Sequence, residues 1–437
     1  MSNILAIVGR PNVGKSTFFN RVTGMRKAIV DSVSGITRDR HYGKSDWNGV
    51  EFSVIDTGGY IIGSDDIFEE EIRKQVDLAI DEADVILFMV DAKEGVSAFD
   101  EDVADILRKT TKKVLLAVNK VDNPRLQNDA VEFYSLGLGE IYCISSVSGS
   151  GTGELLDAVV ESFNVDDKVD DKEYEDLPHF AVVGRPNVGK SSFINTLLGY
   201  KRNIVTDIAG TTRDSINSEY NAFGFNFLLV DTAGIRKKTK VSENIEFYSV
   251  MRSIRAIEHS DICFLIVDAT NGFESQDLNI FHLIVKNNKG VVIIVNKWDL
   301  IAKETNTANA FIKKIKDKIA PFNDVPIVFT SIINKQRIFK ALEVANSVYK
   351  RRSQIIATSV LNEELLPVFL ETPPPAYKGK YIKIKYVTQL KLAYPAFVIF
   401  CNLPQYIRDP YRRFVENRLR EKFDFEGVPI QIYFRQK

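Results

Sequence analysis

Apolar residues in this chain gather into short unbroken runs, and between the runs they recur every three or four positions. The runs fall at 4–8, 52–55, 85–90, 114–118 and 141–144, and again at 180–183, 225–230, 262–267, 291–295 and 326–329. A run of β-branched and aromatic residues without polar alternation reads as a strand buried on both faces, and the amphipathic stretches between runs read as the helices that cover it. The pattern therefore predicts an α/β chain with two parallel sheets, each flanked by helices. In such sheets ligands sit beyond the carboxyl ends of the strands, so chemistry is expected in the loops that open at Gly9, Asp56, Asn119 and Ser145.

The pattern recurs because the sequence does. A shift of 175 residues lays Gly9-Arg10-Pro11-Asn12-Val13-Gly14-Lys15-Ser16 on Gly184-Arg185-Pro186-Asn187-Val188-Gly189-Lys190-Ser191. The same shift brings Gly35-Ile36-Thr37-Arg38-Asp39 onto Gly210-Thr211-Thr212-Arg213-Asp214, and Asp56-Thr57-Gly58-Gly59 onto Asp231-Thr232-Ala233-Gly234. At Asn119-Lys120-Val121-Asp122 against Asn296-Lys297-Trp298-Asp299 the shift has grown to 177. Small insertions thus fall between motifs, where surface loops absorb them. The reading is a duplicated domain, 1–163 and 178–355, joined by an acidic, solvated linker at 164–177. From 356 to 437 the repeat ends and a third unit begins. It predicts a helix near 362–370, strands at 381–388 and 396–401, a helix from 408 to about 423 and a last strand at 429–434.

At 437 residues the chain exceeds what one hydrophobic core supports, in keeping with several domains. Its net charge of −1 excludes a protein that attracts nucleic acid as a whole, so any such patch must be local. Cys143, Cys263 and Cys401 lie far apart, which argues against a disulfide framework or a structural zinc site. They read as reduced core residues. The four histidines are as scattered, leaving no metal cluster or imidazole relay. No apolar stretch reaches the ~20 residues that cross a bilayer, and no leader-like segment stands at the start. The expected location is the cytoplasm.

The duplicated Gly-x-x-x-x-Gly-Lys-Ser has a mechanical purpose. A glycine-rich turn presents successive backbone N–H groups to phosphates, and the helix it opens adds the positive end of its dipole. Lys15 and Lys190 supply a point charge, Ser16 and Ser191 a hydroxyl for Mg²⁺, and Thr17 and Ser192 continue into the helices. Asp122 and Asp299 are placed to accept from the N1–H and the exocyclic amine of guanine, a match that adenine cannot make. Asn119 and Asn296 brace the base, with Lys120 and Lys297 beneath it and Val121 and Trp298 completing the motif. Ser145-Ser146-Val147, and in the second copy Thr330-Ser331-Ile332, carry the backbone N–H groups that meet guanine O6. Thr37 and Thr212 can lend a hydroxyl to Mg²⁺ when a γ-phosphate is present, and Asp56 and Asp231 can hold the same ion through water. Gly59 and Gly234, at the end of Asp56-Thr57-Gly58 and Asp231-Thr232-Ala233, can sense that phosphate by a backbone N–H. Loss of the γ-phosphate frees both loops, which is a switch by order and disorder. The chain is therefore expected to hold GTP or GDP at two sites.

Taken together, these motifs resemble the bacterial tandem GTPase family called Der or EngA, over essentially the whole chain. The resemblance implies two P-loop G domains of Ras-like fold, a KH-like C-terminal domain, and action in assembly of the large ribosomal subunit. It also implies that Asn12 and Asn187 match a phosphate-loop asparagine that coordinates K⁺. Where Ras-like enzymes have a water-orienting glutamine, this chain has Tyr60 and Ile235. Slow intrinsic hydrolysis is expected, with K⁺ supplying the missing positive charge.

From 356 to 437 there are 13 Lys and Arg against 8 Asp and Glu, a local excess that fits contact with rRNA. The Gly-x-x-Gly loop of ordinary KH domains is missing, since only Gly379 and Gly427 occur there. Arg408, Arg412, Arg413, Arg418 and Arg420 recur along one predicted helix, and Arg236-Lys237-Lys238-Thr239-Lys240 follows the third motif of the second copy. Each is open to two readings, an RNA contact or a solvated surface. The leading function is a monomeric GTPase that gates docking on the large ribosomal subunit. The alternative is a GTP-regulated scaffold in which only one G domain hydrolyses.

Overall fold

A computed structural model describes residues 3–25, 42–56, 76, 79–80, 83–163, 177–199, 207–209, 216–230, 253–302, 304, 306–377 and 379–436. The chain forms two compact units, 1–170 and 171–437.

In the first unit six strands build one sheet: β1 (Asn3–Val8), β2 (Tyr42–Trp47), β3 (Val50–Asp56), β4 (Val85–Asp91), β5 (Lys113–Asn119) and β6 (Ile141–Cys143), in the spatial order β2-β3-β1-β4-β5-β6. All neighbours run parallel except β2 and β3. The sheet is therefore mixed, where the apolar runs alone predict a parallel one. β2 reads Tyr-Gly-Lys-Ser-Asp-Trp, and an edge strand needs no continuous apolar run. The Asn48-Gly49 turn that joins β2 to β3, with φ of 50° and 80°, has the handedness that a two-residue hairpin needs.

The second unit repeats the plan with an added edge. β7 (His179–Val183), β8 (Asp207–Ala209), β9 (Ile216–Ala222), β10 (Phe225–Leu229), β11 (Ile262–Asp268), β12 (Gly290–Asn296) and β13 (Ile327–Phe329) take the order β13-β12-β11-β7-β10-β9-β8. β8, β9 and β10 pair antiparallel. In both sheets a glycine lets the chain leave the first strand. A Cβ on Gly9 would stand 2.3 Å from the Met89 carbonyl oxygen, and one on Gly184 2.4 Å from that of Ile266.

The C-terminal segment has the expected α-β-β-α-β order: helix Thr358–Glu371, β14 (Ile384–Gln389), β15 (Ala396–Cys401), helix Asp409–Lys422 and β16 (Gln431–Gln436). β14 runs antiparallel to β15, and β15 parallel to β16. This segment does not stand apart from the repeat before it. One continuous apolar core runs from Phe180 and Phe264 through Val348 to Leu365, Phe397, Leu419 and Phe434. The backbone crosses the seam as well, because Val291 N–H donates to Gly427 O and Gly427 N–H to Asp324 O, both at 2.8 Å.

Three of the five helix arginines have intramolecular work. Arg412 stands 5.2 Å over the Phe434 ring, and Arg418 stacks on Phe414 and pairs with Glu421. Arg420 stacks on Phe322 at 4.7 Å, pairs with Asp324, and donates to the carbonyl oxygens of Phe425 and Val428. The linker at 164–176 and the basic run at 236–240 lie outside the described residues.

Candidate functional site

Each phosphate loop closes around its own lysine. Lys15 Nζ donates to the carbonyl oxygens of Gly9 and Arg10, both at 2.7 Å, and Lys190 Nζ to those of Gly184 and Arg185, both at 2.6 Å. Burial pushes the Lys15 ammonium down from 10.5 to about 8, partly offset by the nearby Asp56 carboxylate. Burial outweighs the Asp56 carboxylate at Lys15, and an anion in the loop would favour the charged ammonium again.

Asp56, fully buried at the end of β3, accepts from Ser16 Oγ at 2.6 Å. One hydroxyl and one carboxylate, with phosphate oxygens and waters to complete the shell, is how Mg²⁺ is ordinarily held. Among the described residues no group of three or more His, Cys, Asp or Glu could hold a metal by itself. Asn12 and Asn187 occupy exposed left-handed positions, with φ of 65° and 62°. Pro11, Thr17, Pro186 and Ser192 are partly or fully exposed beside them, while Val13 and Val188 are buried under the loops.

The second half of each site is built at the ends of β5 and β12. Asn119 Nδ2 donates to Val13 O at 2.7 Å, and its Oδ1 accepts from Ser146 N–H at 2.9 Å. Asn296 makes the same pair of bonds, to Val188 O at 2.8 Å and from Ile332 N–H at 3.1 Å. These asparagines therefore join the phosphate loop to the last loop. The match also corrects a register. Trp298 N–H donates to Thr330 O as Val121 N–H donates to Ile144 O, so Thr330 is the counterpart of Ile144. Ser331 and Ile332 then match Ser145 and Ser146, and exposed Ile333 matches exposed Val147.

Ser145 Oγ donates to Asp122 Oδ1 at 2.7 Å, and this bond together with Lys93 keeps the Asp122 carboxyl below its usual range. Lys120 and Lys297 are both left-handed, and each is held by a carboxylate. Lys120 Nζ lies 2.5 Å from Asp91 Oδ2, and Lys297 Nζ 2.5 Å from Asp268 Oδ2. In the second copy Trp298 packs on Phe329 and Phe311, and Asp299 follows it in an exposed turn.

Sequence reasoning missed the groups that hold these loops from behind. Asp91 and Asp268 each close a strand in both copies, which was the available signal. The guanidinium of Arg185 faces Asp277, Glu274 and the Gly272 carbonyl. That of Arg10 turns to Glu94, Asp100 and Gly95. Both side chains thus anchor the following loop and leave only their backbone to a ligand. Arg21 Nε adds a tie to Ser146 O at 2.7 Å. Thr37, Thr57, Gly58, Gly59, Tyr60, Thr212, Asp231, Thr232, Ala233, Gly234 and Ile235 lie outside the described residues.

A family model described as 50S ribosome-binding GTPase matches residues 4–120 and 179–297. A second, the KH-domain-like C-terminal part of EngA bacterial GTPases, matches 356–435. Along its full length the chain is 63% identical to GTPase Der of Christiangramia forsetii, over 100% of both proteins. It is 64% identical to GTPase Der of Flavobacterium psychrophilum, again over 100% of both. The chain belongs to the Der family of GTPases. A solved structure of Era with MgGDPNP and 16S ribosomal RNA nucleotides shares 22% identity at a TM-score of 0.31, covering 60% of this chain and 92% of its own. Among the described residues, no helix is long and apolar enough to cross a membrane.

Proposed function

We propose that this chain is a GTP-binding and GTP-hydrolysing switch with two working sites, and that its nucleotide state governs docking on the large (50S) ribosomal subunit and its rRNA. The observation that carries the reading is the doubled tie of Asn119 and Asn296 between phosphate loop and base loop, which builds two guanine-nucleotide pockets on one plan. The ribosomal partner rests on the description of the matching family model.

In each site the loop amides and Lys15 or Lys190 hold the outer phosphates, and Asp122 or Asp299 accepts the guanine edge. Ser16 with Asp56 would hold Mg²⁺ in the first site, and Ser191 with Asp231 in the second. The ion, when bound, neutralises charge on the phosphates. Thr37, Gly59, Thr212 and Gly234 read the γ-phosphate. Tyr60 and Ile235 have no side-chain amide to orient a water, and Asn12 and Asn187 would hold a K⁺ ion whose positive charge would favour hydrolysis. The units are 1–163 and 178–355 as G domains and 356–437 as a KH-like module, working as a monomer in the cytoplasm.

Co-sedimentation with isolated large subunits tests this. The intact chain should pellet with a non-hydrolysable GTP analogue and stay in solution with GDP, and Lys15→Ala and Lys190→Ala should each lower both pelleting and GTP turnover. Turnover should fall when K⁺ is replaced by Na⁺ at equal ionic strength. Equal pelleting in both nucleotides would contradict the switch.

A further inference from the structure

We propose that Lys93 sets how strictly the first site demands the exocyclic amine of its base. The inference rests on the reading of Asp122 and Asp299 as guanine-binding carboxylates. Lys93 Nζ lies 3.0 Å from Asp122 Oδ2, while Ser145 Oγ occupies Oδ1 at 2.7 Å. Both oxygens therefore have a donor before a base arrives. Each carboxylate oxygen can accept from two directions, so the N1–H and the amine of guanine add to these bonds without displacing them.

The second site offers its carboxylate a different neighbour at this position. Thr270 stands where Lys93 stands, two positions beyond the aspartate that closes the strand, and its hydroxyl donates back to Asp268 Oδ1 at 2.7 Å. Lys93 makes the corresponding backbone bond to Asp91 at 2.9 Å, as Thr270 does to Asp268. The two loops thus match in their backbone and diverge in what they offer the carboxylate. Among the described residues no side chain donates to Asp299.

Selectivity for a hydrogen-bonding group comes mainly from the partner left unpaired when a ligand lacks it. Hypoxanthine is guanine without the amine. In the second site it leaves one carboxylate oxygen bare under the base. In the first, the Lys93 ammonium remains on that oxygen, so the missing amine costs less. The Lys93 and Asp122 side chains are 53% and 45% exposed, so the pair is worth little while the site is open. Beneath a bound base it is shielded from water, and its strength rises.

The test is the ratio of IDP to GDP dissociation constants, because the two ligands share ribose and phosphates. It is measured by calorimetry on the full chain, with Lys190→Ala isolating the first site and Lys15→Ala the second. The ratio should be smaller at the first site. Lys93→Thr should raise it there by about three- to fivefold, and Thr270→Lys should lower it at the second site by a similar factor. Asp122→Asn in the Lys190→Ala chain serves as the control. If it fails to move preference from GDP to XDP, the base reading itself falls, and this inference with it. If that preference moves but Lys93→Thr leaves the IDP ratio unchanged, the role of Lys93 alone is overturned.

Discussion

Asn119 donates its side-chain amide to the carbonyl oxygen of Val13, 106 residues earlier in the chain, at 2.7 Å. With Ser146 N–H on its other end, this one side chain makes the phosphate loop and the base loop a single rigid piece. Asn119→Ala leaves the Val13 carbonyl and the Ser146 amide buried and unpaired, at a cost of about 2–3 kcal/mol. GDP affinity at the first site should fall at least ~10-fold, measured by calorimetry in the Lys190→Ala chain. Unchanged affinity would mean that the tie does not shape the site.

The same tie explains why residue 14 is glycine. A Cβ there would stand 2.2 Å from Asn119 Nδ2, at a φ of +101°. Gly14→Ala should destabilise the first unit by about 1–3 kcal/mol and abolish its nucleotide binding. Gly24, inside the following helix with nothing within 4 Å of its would-be Cβ, is the contrast. Gly24→Ala should stabilise by about 0.5–1 kcal/mol. Thermal denaturation of both variants checks the opposite signs.

Lys15 gives the first site a pH dependence. Its folded value of about 8 lies below the ordinary 10.5. Between those values the unfolded chain carries the proton and the nucleotide-free fold does not, so this group's contribution to stability rises with pH from 8 to 10.5. Bound phosphates favour the charged form again. GDP binding should therefore take up a proton above pH 8, and affinity should decline as pH rises past that point. Calorimetry of the Lys190→Ala chain at pH 9, in two buffers of different ionisation enthalpy, reads the proton directly. Equal heats in the two buffers would contradict the assignment.

Arg420 decides between the two readings of the basic C-terminal helix at its own position. Its bonds to Phe425 and Val428, its stack on Phe322 and its pairing with Asp324 join the C-terminal segment to the repeat before it. Arg420→Ala should cost about 1–3 kcal/mol in chemical denaturation of the full chain. Arg420→Lys should recover only a small part, because the forked donor geometry is lost. An arginine reserved for RNA would leave stability unchanged.

The sequence made the central strands and both nucleotide loops legible because buried parallel strands are continuous apolar runs and phosphate loops repeat a fixed spelling. The edge strand β2 and the outer strands β8 and β9 were hidden, since strands at the rim of a sheet need not be continuous apolar runs. Only the Asn48-Gly49 turn betrayed β2. Thr330-Ser331-Ile332 looked like a match to Ser145-Ser146-Val147 because serine and threonine are alike on paper. The hydrogen bond from Trp298 to Thr330, matching that from Val121 to Ile144, shows that Thr330 stands in the place of Ile144 and moves the correspondence by one residue. The anchoring of Arg10 and Arg185 on acidic residues some ninety positions away, and the shared core of 178–355 with 356–437, depend on long-range packing that no local pattern encodes.

The most direct test counts nucleotides. Calorimetry of the intact chain should find two GDP bound per molecule, falling to one in Asp122→Asn and to one in Asp299→Asn, with the lost equivalent recovered by XDP in each. A stoichiometry of one in the intact chain, or two GDP bound with undiminished affinity in either variant, would contradict the two-site account.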